Sequence, residues 1–105
     1  METENDREMM EALFINMVAG LYSQTMQYLG KIMNPVTGKI EENLEIARAN
    51  IEILRMLKIK TMGNLNDKES RSIHDALSNM QMNYVDMLGK RKNNKKGESP
   101  GKNSE

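Results

Sequence analysis

Nineteen consecutive residues, Ala12 to Gly30 (ALFINMVAGLYSQTMQYLG), contain no charged side chain. No other feature restricts the fold as strongly. A stretch this close to the ~20 residues that cross a bilayer must lie in lipid, lie in a core, or be covered from several sides. Asn16, Ser23, Gln24, Thr25 and Gln27 argue against lipid, because each would need a hydrogen-bond partner in hydrocarbon. Apolar residues recur at Met10, Leu13, Phe14, Met17, Val18, Leu21, Tyr28 and Leu29, which is helical spacing. The reading is one long helix from about Asp6 to about Lys31. Its apolar arc is far wider than an amphipathic stripe, and the remaining face is Asn16, Ala19, Gly20, Ser23 and Gln27 rather than charge. Such a helix requires neighbours on more than one side.

Two further helices follow. Ile40, Leu44, Ala47, Ile51, Leu54 and Leu57 share a face, with Glu41, Glu45, Arg48, Glu52 and Arg55 opposite. This second helix stops at Gly63, where a left-handed residue is expected, with Leu65 placed to fold back onto it. Asn66 and Glu69 then form a capping box for a third helix, whose stripe is Ile73, Ala76, Leu77, Met80, Tyr84, Met87 and Leu88. So short a connection makes helices two and three an antiparallel hairpin. The link between helices one and two, MNPVTGKI, reads as a rigid corner built by Asn34, Pro35, Thr37 and Gly38. Proline forbids continuation of the first helix, Asn34 bonds the backbone ahead, and Gly38 supplies positive φ. A phosphate loop would need more glycines and a Lys-Ser/Thr pair at a helix start.

With 105 residues the chain is one domain at most. The expected division is a flexible start (1–5), a three-helix domain (6–89) and a disordered basic tail (90–105) with no apolar residue to bury. Net charge is zero, yet Arg91 to Glu105 carries five Lys/Arg against two Glu, so the tail is +3 and the rest −3. The opening METENDRE is acidic where an export signal is basic and then apolar, so a cytoplasmic protein is expected.

Chemistry has few candidates. There is no cysteine, and the single histidine, His74, is flanked at helical spacing by Ser70 and Ser78 rather than by ligands. It reads as a surface residue. Eleven methionines raise Cu(I), but Met10, Met17, Met80 and Met87 fall on the apolar stripes, where methionine fills cores and adaptable interfaces. Glu41 and Glu42 point to different sides of a helix and do not converge as an acid/base pair. No catalytic residue, metal, cofactor or small-molecule ligand is expected. Lys90, Arg91, Lys92, Lys95 and Lys96 form a weak phosphate-binding candidate for nucleic acid or an anionic membrane, without the aromatic residues that stack bases.

The segment YLGKIMNPVTGKIEENLEIARANIEILRMLKIKTMGNLNDKE, followed by MQMNYV, resembles the bacterial family catalogued as domain of unknown function 1844. The likeness lies in a Leu-Gly ahead of a P-x-T-G corner, a helix ending in M-L-x-x-K-T-x-G-N-L, and a later aromatic helix. It spans about Phe14 to Leu88. Met62 stands where that family is usually basic, and Gln81, Met82, Asn83 and Tyr84 replace a more basic motif. The resemblance implies a small all-helical protein and brings no catalytic residue with it.

The overall expectation is an all-α fold, a long N-terminal helix plus an antiparallel helical hairpin, completed as a dimeric helix bundle. Met10, Phe14, Met17, Leu21 and Tyr28 are the expected self-association residues. Functionally this is a non-enzymatic scaffold or interaction module, a homodimer with a further protein partner, or alternatively a peripheral binder acting through the basic tail.

Overall fold

The computed structural model describes residues 3–97, folded as α1 (Glu4–Tyr28), α2 (Leu44–Lys60) and α3 (Asp67–Gly97). Each helix touches the other two. The C-terminal end of α1 meets the start of α2, where the Asn43 amide donates to the Tyr28 carbonyl at 2.8 Å. Midway, Asn50 Nδ2 donates to Gln24 Oε1 at 2.9 Å, so these two helices are antiparallel. At the other end Glu11 accepts from Asn66 Nδ2 at 2.7 Å, and Lys31 reaches Asp86 at 2.7 Å, so α3 runs alongside α1 in the same direction. The expected hairpin of α2 and α3 is present, with α1 laid along both.

One core cluster joins Val18, Ile51, Leu54, Ile73, Leu77 and Met80, with Phe14, Leu21, Tyr22 and Tyr84 against it. A second joins Met26, Leu29, Leu44 and Ala47. The buried Thr25 hydroxyl bonds back to the Leu21 carbonyl at 2.7 Å, which removes the cost of placing a polar atom there.

Several boundaries differ from the sequence reading. α1 begins at Glu4, within the start expected to be flexible, because Thr3 caps it. Thr3 Oγ1 accepts from the Asp6 amide at 3.1 Å, and Asp6 returns a bond to the Thr3 amide at 3.3 Å. It ends at Tyr28 rather than Lys31. Gly30, at φ 76°, donates to the Gln27 carbonyl while Lys31 donates to that of Met26, the two bonds of a Schellman cap. The first helix is therefore stopped by Gly30, five residues before the proline expected to do it. α2 begins at Leu44 with Asn43 as its cap, so Ile40 is an exposed loop residue rather than the first member of the core stripe. α3 passes the expected end at Gly89 and continues to Gly97, so residues 90–97 are helical. Residues 98–105 of the expected tail lie outside the described residues, as do residues 1–2.

Candidate functional site

α1 divides its circumference in two. Val18, Thr25 and Met26 are buried, and Phe14, Leu21, Tyr22 and Tyr28 are half-buried against the chain's own core. The opposite side keeps Met9, Met10 (52% exposed), Leu13 (57%) and Met17 (48%) in solvent, followed toward the C-terminus by exposed Gly20, Ser23 and Gln24. Of the residues expected to mediate self-association, Phe14, Leu21 and Tyr28 thus turn inward while Met10 and Met17 turn outward. Met9 and Leu13 join the outward pair.

Beside this face, α2 exposes Ile46, Ala49, Ile53 and Met56. Ile46 and Ile53 lie four residues before and three after Asn50, and Gly20, Met17 and Leu13 lie four, seven and eleven before Gln24, so each set borders its polar residue on the helix surface. The Asn50–Gln24 hydrogen bond joins the two helices, so both stripes border the same α1/α2 seam. The result is a continuous uncharged surface on α1, apolar over its N-terminal half, with a second apolar strip beside it.

The corner overhangs the C-terminal half of this face. Asn34 organises it. Its Oδ1 accepts from the amides of Val36 (2.8 Å) and Thr37 (3.4 Å), its backbone bonds the Lys39 carbonyl and the Gly38 amide, and its Nδ2 reaches Glu41 Oε1 at 2.9 Å. Thr37 Oγ1 accepts from the Lys39 amide at 3.3 Å, and Gly38 takes φ 71°. Pro35 follows Asn34 on the rim of an open groove of about 490 Å³. Gly20, Ser23, Gln24 and Gln27 floor the groove, and Val36, 90% exposed, stands at its edge. Among these lining residues only Glu41 is ionisable at neutral pH, and its carboxylate already holds Asn34, so the groove offers no acid/base pair.

Gly20 has no conformational reason to be glycine. It lies inside a regular helix at an ordinary φ, and an added Cβ would meet nothing within 4 Å. Glycine there costs roughly 0.5–1 kcal/mol relative to alanine.

The remaining sequence candidates are dispersed. Gly63 takes φ 86°, Leu65 packs against the core, and Asn66 and Glu69 exchange bonds of 2.9 and 2.8 Å at the start of α3. Lys90 sits 3.4 Å from Asp86, which also holds Lys31. The hydrogen bond from Lys31 and then that from Lys90 keep the Asp86 carboxyl below its ordinary pKa. Arg91 lines a groove with Glu42 and Glu45. Lys92 is exposed, and Lys95 and Lys96 lie in the last turns of α3. The basic run is therefore partly offset by carboxylates of the same chain. His74 is exposed, with Nδ1 3.1 Å from Lys58 Nζ. Among the described residues no three His, Asp or Glu side chains gather as a metal site, and no helix is long and apolar enough to cross a membrane.

A family model described as a domain of unknown function (DUF1844) matches residues 11–86. The chain belongs to the DUF1844 family. That match takes in α1 from Glu11 onward, the corner and α2, and it stops at Asp86, ahead of the basic run. No curated relative and no solved structure matches the chain.

Proposed function

We propose that this DUF1844 chain is a non-enzymatic, cytoplasmic module that self-associates through the outer face of α1 and the adjoining strip of α2, and so serves as an interaction scaffold. The observation that carries the reading is the character of α1 where it faces solvent. From Ala12 to Gln24 eight exposed positions carry no charge, and large apolar side chains stand half in water among them. An ordinary solvent face of a helix is charged.

The magnitudes support this. Met9, Met10, Leu13, Met17, Ile46, Ile53 and Met56 are each roughly half exposed, and finishing their burial is worth about 1 kcal/mol apiece. Two copies would gain on the order of 14 kcal/mol, against the ~4–15 kcal/mol that association costs. At 1.5 Å per residue, α1 from Met9 to Gln27 offers a strip about 28 Å long, and two helix widths make it about 20 Å broad. That is on the order of 600 Å² per copy, the lower end of a stable interface.

Sedimentation equilibrium of the full chain and of Met17→Glu tests the reading. The parent is expected to be dimeric at tens of micromolar, and the variant monomeric with unchanged helical circular dichroism, since Met17 is not part of the core. A parent that stays monomeric at those concentrations removes the proposal.

The alternative, peripheral binding of nucleic acid or anionic membrane through Lys90, Arg91, Lys92, Lys95 and Lys96, draws on the helical extension of α3 beyond the matched segment. Exposed Val85 and Leu88 precede these residues on that helix. It is the weaker reading, because Lys90 is engaged by Asp86 and Arg91 faces Glu42 and Glu45.

A further inference from the structure

The outer face of α1 is not uniform along its length, and the asymmetry carries information about how two copies would meet. The N-terminal half projects large apolar side chains, Met9, Met10, Leu13 and Met17. The C-terminal half has small or polar residues, Gly20, Ser23 and Gln24, and is hollowed by the groove under Val36. We infer that a second copy of this chain lies antiparallel across α1, its Met10 and Leu13 entering the groove between Gly20 and the Asn34–Val36 corner, with the two-fold axis near Met17. This inference rests on the self-association proposed above and specifies its geometry.

Three observations favour it over a parallel pairing. An antiparallel two-fold sets each large half against each hollow half, whereas a parallel one sets Met against Met and leaves both grooves empty. Gly20, unexplained by its own chain, then lies where the partner's Leu13 arrives, and absence of a side chain lets the helices approach closely. Charge agrees as well. A parallel pair would bring the acidic starts of α1, with Glu4, Asp6 and Glu8, side by side, and the antiparallel pair separates them. The exposure of Val36 also acquires a reason, since the corner becomes a wall against which the partner packs.

The chain has no cysteine, so a single Asn5→Cys variant can be spin-labelled uniquely. Asn5 is twelve residues from the proposed axis, so its label should lie about 35 Å from that of the partner at 1.5 Å per residue. A parallel pair would hold the two labels within about 20 Å, given interaxial distances of 8–10 Å. A second variant, Gly20→Leu, builds a side chain into the groove from a position where an added Cβ meets nothing of its own chain within 4 Å. It is expected to weaken self-association at least tenfold while keeping helical content and without lowering the stability of the monomer. Labels within about 20 Å, or a Gly20→Leu chain that associates as tightly as the parent, overturn the antiparallel arrangement and leave self-association standing. A parent chain that sediments as a monomer at tens of micromolar removes both.

Discussion

Two glycines, one inside α1 and one just past its end, make opposite demands on the backbone. Gly30 sits at φ 76° and closes the helix, and an L side chain in that left-handed region costs about 1–2 kcal/mol. Gly20 is helical, and a Cβ added there would meet nothing within 4 Å. Alanine at position 30 should lower the urea midpoint by an amount equivalent to about 1 kcal/mol with an unchanged slope, while alanine at position 20 should raise it by about 0.5–1 kcal/mol. Both are to be measured at concentrations dilute enough to exclude association, because Gly20→Ala also acts on the proposed interface. The same pair shows where residue-level reading succeeds. Gly38 and Gly63 were legible as left-handed because each follows a clear break in periodicity. Gly30 was not, since Pro35 supplied a louder stop a few residues later and the Schellman bonds of Gly30 and Lys31 depend on how the chain turns back.

At the scale of elements, α3 is the least complete reading. Its core face, Ile73, Leu77 and Met80, was visible in the spacing, yet its length was not. An exposed glycine interrupts a helix by only about 1 kcal/mol, and Lys and Arg are good helix formers, so α3 continues through Gly89. The extension has an electrostatic consequence. Asp86 now stands between Lys31 at the end of α1 and Lys90 one turn onward, and clasps the two helices together. Its carboxyl is expected to titrate below its usual value, and Lys31→Met should raise it more than Lys90→Met, following the larger share of Lys31. Carbon-detected NMR of the side-chain carboxyl reads this directly. Because the folded-state pKa is depressed, any stability from the clasp is present above the ordinary carboxylate pKa and is lost as pH falls through the folded value. The group is exposed to solvent, so salt should weaken the effect.

For the whole molecule, spacing along the sequence shows that α1 carries more apolar surface than a stripe, but not which part of it the chain's own helices consume. Period and phase give angles relative to other residues of the same helix, whereas the directions of α2 and α3 come only from tertiary packing. Hence Phe14 and Leu21 prove to be inward while Leu13 and Met17 are outward. The surface left over is apolar and uncharged, and the basic run lies elsewhere, at the end of α3. These two surfaces respond differently to ionic strength. Association through α1 should have a dissociation constant that changes less than about threefold between 50 and 500 mM salt, because burial of uncharged surface releases no counterions. Binding of a phosphate polymer or anionic vesicle by Lys90 to Lys96 should fall steeply over the same range. A salt series by sedimentation equilibrium on the full chain separates them. Self-association that collapses at high salt would move the contact from α1 to the charged end of the molecule, and association that holds in the parent but is lost in Met17→Glu places it on the face bearing Leu13 and Met17.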